Sequence, residues 1–279
     1  MIKLQVLICT LGQEGIERVA ACNHPKVDGV QYLVSWQLTD GPRKIPESLQ
    51  RPDFKIITNT TRGLSRNRNI ALIASTAPIA LIADDDIKYT AEGLSKLITA
   101  FETHPEADIL LCRALRENGL PFKPHPDKVV TLSEQPKGYY VISFEIAFRT
   151  AAVKRVGLLF NEVFGIGAPL PMGEESVWLT DAVKAGLKVL LVPIDICTHP
   201  GLTTSERKGK DPAHIGAKGA AVMHMHPLSW PLRMIAIGRR ESNGLEGGLK
   251  TYVGHWMNGV RLARRLKAFR RPSRKHRHR

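Results

Sequence analysis

Long apolar runs are missing from this chain of 279 residues. None approaches the roughly 18 consecutive apolar residues of a membrane span, so no transmembrane helix is expected. The opening segment, residues 1–10, lacks the apolar length and small-residue cleavage site of a signal peptide, which points to a cytoplasmic protein. Cysteine is scarce. The four present, Cys9, Cys22, Cys112 and Cys197, form no CxxC pair and three sit in apolar runs, which excludes a zinc site or a disulfide framework. No internal repeat occurs. Basic and aromatic residues are not interleaved, so nucleic acid is not the expected partner. Acids are absent from residues 261–279, where ten Lys or Arg stand; of the net charge of +14, only +4 is left for residues 1–260.

A hydrophobic share of 43% is that of an ordinary globule. Apolar runs at 4–10, 32–38, 54–59, 79–83, 108–115, 140–148 and 188–192 read as strands, and helical patterns occupy 14–22, 66–75, 91–104, 151–156 and 174–185. Their alternation predicts an α/β fold, a mostly parallel central sheet with helices on both faces. Further on, Leu249, Val253, Trp256, Val260, Ala263 and Leu266 recur at steps of three and four and mark an amphipathic C-terminal helix. A basic run with almost no apolar residue follows it and is expected to be disordered. The expected organisation is a domain over 1–205, a helical extension over 206–269 and a basic tail over 270–279. The Trp-bearing apolar face and the basic run fit either a helix lying on an anionic membrane surface or a terminal helix docked on the core.

Three segments carry chemistry. Asp84, Asp85 and Asp86 follow the apolar run 78–83, at the carboxyl end of a strand, where open α/β sheets bind ligands. Three crowded carboxylates repel one another; a divalent cation shared with a substrate's phosphates relieves them, and a solvated acidic turn is the alternative. In Gly63-Leu-Ser-Arg-Asn-Arg-Asn69, Ser65 is a candidate N-cap, which places Arg66 and Arg68 in a first helical turn, where the helix dipole disfavours cations. A bound phosphate resolves that conflict, and so does pairing with nearby carboxylates. Glu174 and Glu175 follow Gly173 at the start of another helix; acids suit the dipole there, and they also suit a general base facing a cleft.

In order and spacing these segments, with Leu7-Ile-Cys-Thr10 and Phe144-Glu-Ile-Ala-Phe-Arg149, resemble an inverting family 2 glycosyltransferase of GT-A fold over residues 3–205. The resemblance implies a nucleoside-diphosphate sugar donor contacted by Thr10, Asp84 and Asp85, with Arg68 at its diphosphate. It implies Asp86 and His199 as ligands of a divalent cation, Mn or Mg, Glu175 as the base that deprotonates an acceptor hydroxyl, and Glu174 as an acceptor contact. A saccharide or lipid-linked acceptor in cell-surface polysaccharide or glycolipid synthesis follows, with the protein peripheral at the inner face of the membrane. Two departures stand out. Residues 34–40 lack the family's acidic pair, leaving Gln37 or Asp40 to read the nucleobase, and the base motif is Glu-Glu where Glu-Asp is common. The rival readings are a nucleotidyltransferase of related fold, for which 10–15 holds too few glycines, and a non-catalytic membrane-surface adaptor.

Overall fold

The structure, a computed structural model, describes residues 1–199 and 210–269. Alternation along β1 (Leu4–Leu11) sorts its side chains onto two faces, with Leu4, Val6 and Ile8 in one core and Leu7 and Cys9 in the other. The same holds for β4 (Ile79–Ala83), where Ile79, Leu81 and Ala83 oppose Ala80 and Ile82. A strand buried on both faces is apolar throughout, which is why these runs are conspicuous in the sequence. Parallel pairing joins β1 to β4, to β2 (Val30–Gln37) and through it to β3 (Phe54–Asn59); β6 (Ile109–Arg116) runs parallel to β9 (Val189–His199). Two short strands, β5 (Lys88–Tyr89) and β7 (Val130–Thr131), pair antiparallel with β9, and β8 (Ile146–Arg149) joins the halves. The sheet order is β3-β2-β1-β4-β8-β6-β9-β5, with β7 also on β9.

Helices α1 (Gly12–Ala21) and α3 (Ala91–Thr103) cover one face through Ile16, Val19, Leu94, Leu97 and Phe101. The other face carries α2 (Leu64–Ala74), α4 (Thr150–Arg155) and α5 (Glu174–Lys184), which insert Leu72, Val153 and Trp178. Because β1 and β4 are parallel, their carboxyl ends bring Thr10 and the acidic triplet to one rim, and α2 and α5 start beside it.

The run 140–148 differs from expectation. Only its last part is strand, antiparallel to both β4 and β6, and a 3₁₀ turn occupies Ser143–Glu145. Glu145 turns inward, where its carboxylate accepts the Lys123 ammonium and the Ala114 N–H. Ser65 also differs: the N-cap of α2 is Gly63, and the Ser65 hydroxyl donates to the Phe164 carbonyl at 2.6 Å. That contact needs a close approach by Gly165, whose φ is +102° and where a Cβ would lie 2.9 Å from Ser65 Oγ.

Beyond the sheet come α6 (Pro212–Met225), α7 (Trp230–Glu241) and α8 (Gly248–Arg265). Asp211 caps α6 by accepting from the Ala213 and His214 N–H groups. α6 and α8 cross at Gly216 and Gly259 with backbones in contact, since a Cβ on Gly259 would overlap the Gly216 carbonyl. Tyr252, Trp256, Val260 and Ala263 are buried on that side of α8. The amphipathic face is therefore docked, and its Trp256 is not available to a membrane. The boundary at 205/206 and the tail 270–279 lie outside the described residues. Among the described residues no helix is long and apolar enough to cross a membrane.

Candidate active site

A cleft of about 900 Å³ opens at the carboxyl ends of β1 and β4, and Thr10, Arg68, Asp84, Asp85, Asp86, Glu174, Glu175 and His199 all line it. At its centre is Arg68, on the inner side of α2. Its Nη2 donates to Asp84 Oδ1 at 2.8 Å, and its Nη1 donates to Glu174 Oε1 at 3.1 Å and Glu175 Oε1 at 3.0 Å. The guanidinium lies 5.5 Å from the centre of the Phe160 ring, and its Nε has no partner among the described residues. Three carboxylates thus occupy it, the pairing alternative for the first-turn conflict; Arg66 finds a similar partner in Glu162 at 2.8 Å. Burial works to lower the Arg68 pKa, but Asp84, Glu175 and Glu174 outweigh it and hold the value above the ordinary one. Glu174 moves the other way from most acids. Burial, and then the charge of Glu175, push its carboxyl up to about 8 against the opposing pull of Arg68.

The three aspartates are held differently. Asp84 also accepts the Ser143 hydroxyl at 2.8 Å, so both its oxygens are engaged. Asp85 takes a two-point bond from Arg18, at 3.1 and 2.9 Å, and the Thr10 hydroxyl at 2.7 Å. Asp86 has no side-chain partner among the described residues. Its carboxyl is raised by burial and by the charge of Asp84, with His199 opposing. His199 is buried beside Phe144 and Phe122, at centroid distances of 5.2 and 5.4 Å, and its Nδ1 is unpartnered among the described residues. No three His, Cys, Asp or Glu side chains among the described residues converge as a metal cage. Asp86 and His199 both line the cleft, and the charge of His199 reaches Asp86. Gln37 lines the cleft, but its amide donates to Thr61 Oγ1 at 3.0 Å and the Gly63 carbonyl at 3.3 Å; Asp40 is not among the lining residues.

Sequence reasoning missed Arg18, Ser143 and the far wall of the cleft. That wall comes from α6, through His214, Lys218, Ala221 and Met225, and from α7, through Ile237, Arg240 and Glu241. Glu241 braces it, accepting from Lys218 at 2.6 Å, Tyr252 at 2.9 Å and Arg240 at 3.2 Å. The steps of four, three and four along α6 were a legible signal for a common face, although not for what it faces.

Residues 37–156 match the model of glycosyl transferase family 2. Among curated proteins none matches the sequence. Among solved structures, S. aureus TarS 1–349 superposes with a TM-score of 0.60 at 16% identity, covering 97% of this chain and 93% of that one. Its complex with UDP-GlcNAc gives 0.61 at 15% identity with the same coverage. A longer TarS chain gives 0.63 at 19% identity, covering 98% of this chain and 50% of that one. At these identities the likeness is one of fold, while the matched segment takes in Arg68 and the acidic triplet. The chain therefore resembles family 2 glycosyltransferases over residues 37–156 and shares the GT-A fold of these structures.

Proposed function

We propose that the protein moves a sugar from a nucleoside-diphosphate sugar to a hydroxyl acceptor by a single inverting displacement. The observation that carries this reading is one buried guanidinium joining Asp84, at the strand-end rim, to Glu175, at the mouth of the cleft. The crystal structures of TarS 1–349 in complex with UDP and with UDP-GlcNAc support a nucleotide-sugar donor of the same class. Thr10, Asp84 and Asp85 contact that donor, with Arg18 and Ser143 fixing the two carboxylates. Glu175 takes the proton of the incoming hydroxyl. Its neighbour Glu174, which shares Arg68 Nη1 with it, is the acceptor contact. Arg68 acts as a positioning residue that aims both carboxylate groups, in place of the direct diphosphate contact implied by resemblance. Asp86 and His199 are the residues to hold a divalent cation, Mn or Mg, which when bound neutralises charge on the diphosphate leaving group.

The wall formed by α6 and α7 faces the acceptor end. Lys218 and Arg240 beside Ala221, Met225 and Ile237 suit an acceptor with both polar and apolar parts, consistent with cell-surface polysaccharide or glycolipid synthesis at an anionic membrane. General-base assistance contributes ~10² to 10⁴ in rate. Glu175→Gln is thus expected to lower turnover on that scale while the thermal shift on adding UDP-sugar and Mn²⁺ is unchanged; full turnover in the variant would remove Glu175 from the role. Absence of any metal-dependent stabilisation by a panel of nucleotide sugars would sink the donor assignment.

A further inference from the structure

We infer that the corner between α6 and α7 is a contact surface for an anionic lipid bilayer. Leu228 is 97% exposed and Leu232 77% exposed, more than any other large hydrophobic side chain described except Met1. Neither belongs to a core. The inner face of α7 is already satisfied, since Trp230, Met234 and Ile237 pack toward Tyr252 and Trp256. Leu232, Ala236 and Arg239 stand at steps of four and three on the opposite side and are exposed, and Leu228 projects from the link just before the helix. An exposed leucine pair with no cover among the described residues marks an interaction surface.

Charge identifies the occupant. Residues 226–240 contain no acid, and Arg233 and Arg239 are exposed along the same helix, while Arg240 pairs with Glu241. Leucines flanked by arginines match the boundary of an anionic bilayer, where apolar side chains enter the acyl region and guanidinium groups meet headgroup phosphates. A second copy of this chain is a poor occupant, because a two-fold contact would set this basic face against itself. The placement also has a purpose on the proposed transferase reading, on which this part of the inference rests: the other side of α7 supplies Ile237 and Arg240 to the cleft. One helix then touches both the bilayer and the acceptor end, so a lipid-linked acceptor reaches Glu175 without leaving its membrane.

The test is flotation of the full chain with vesicles of phosphatidylcholine, with and without phosphatidylglycerol. Wild type is expected to float with the anionic vesicles, and L228S/L232S to bind them roughly tenfold or more weakly, from the loss of two apolar side chains at the interface. A variant lacking residues 270–279 is expected to keep most of its binding. Equal flotation of L228S/L232S and wild type, no flotation of wild type, or complete loss of binding on removing the tail would each overturn the assignment. Concentration-dependent self-association of wild type that L228S/L232S abolishes would also overturn it, assigning the corner to a second copy. Thermal shift with UDP-sugar is read on the same samples: a donor response without flotation sinks only this inference, and flotation without a donor response sinks only the transferase reading.

Discussion

Replacing Arg68 by Met removes the one cation shared by Asp84, Glu174 and Glu175 while roughly keeping the buried volume. In the wild type Glu174 titrates at about 8 against 4.5 for an ordinary glutamate. The sign follows from linkage. Below about pH 4.5 the group is protonated in both folded and unfolded states and contributes nothing. Between there and pH 8 the folded state keeps a proton that the unfolded state has lost, so stability falls as pH rises, by about 5 kcal/mol in total at about 1.4 kcal/mol per unit. Without Arg68 the acid is raised further, and the decline extends to higher pH. Arg68→Met is therefore expected to cost ~3–5 kcal/mol near pH 9, the scale for stripping a buried charge of its partner. Of that cost about 1.4 kcal/mol, the further unit of decline between pH 8 and 9, is absent near pH 5, where the loss of the contacts to Asp84, Glu175 and Phe160 remains. Urea unfolding of both proteins at about pH 5, 7 and 9, followed by tryptophan fluorescence, measures the difference. A deficit that stays constant across this range would refute the view that Arg68 neutralises a carboxylate cluster.

Two further outcomes test other parts of the structure. Gly259→Ala forces α8 away from Gly216 and is expected to lower stability by ~1–3 kcal/mol, as overpacking does; an unchanged melting temperature would show that the helices do not cross in contact. Lys123→Met leaves Glu145 buried beside Ala114 without its cation, at a cost of ~3–5 kcal/mol near neutral pH, whereas K123M/E145M should recover most of it. A double variant no more stable than the single one would contradict a paired buried charge.

The strand at Ile79–Ala83 is legible to the residue because a continuous apolar run between turn residues admits few other structures, and that at Phe54–Asn59 because an aromatic and three β-branched residues stand together in six. Glu174 is legible as a helix start because Gly173 precedes it. Arg68 was half legible. Its place near a helix start announces a missing anion, but whether that anion is a ligand's phosphate or the chain's own carboxylates depends on contacts 16, 106 and 107 residues away. The turn at Ser143–Glu145 was hidden for a similar reason, since it is Lys123, 22 residues earlier, that draws Glu145 inward. α6 escaped because it packs against both α5 and α8 and the sides it buries there are rich in small residues, Gly216, Ala217, Gly219 and Ala220, so no single apolar stripe marks it.

The two sides of the cleft come from different kinds of structure. Strand ends and the starts of α2 and α5 set out the carboxylates, whereas the opposite wall belongs to α6 and α7, whose helical block meets the rest of the fold where Ala221 approaches Gly173, where His224 pairs with Asp181 and where Phe269 packs on Phe164. Neither β1 nor β4 needs that wall for its own burial. Residues 210–269 can therefore change in sequence, or be exchanged as a block with those of a relative, provided that a small side chain remains at the contact with Gly173 and that Asp181 and Phe164 keep partners. The far wall is in this sense a replaceable part, and a chimera carrying a foreign C-terminal block would keep Arg68 and its three carboxylates in register.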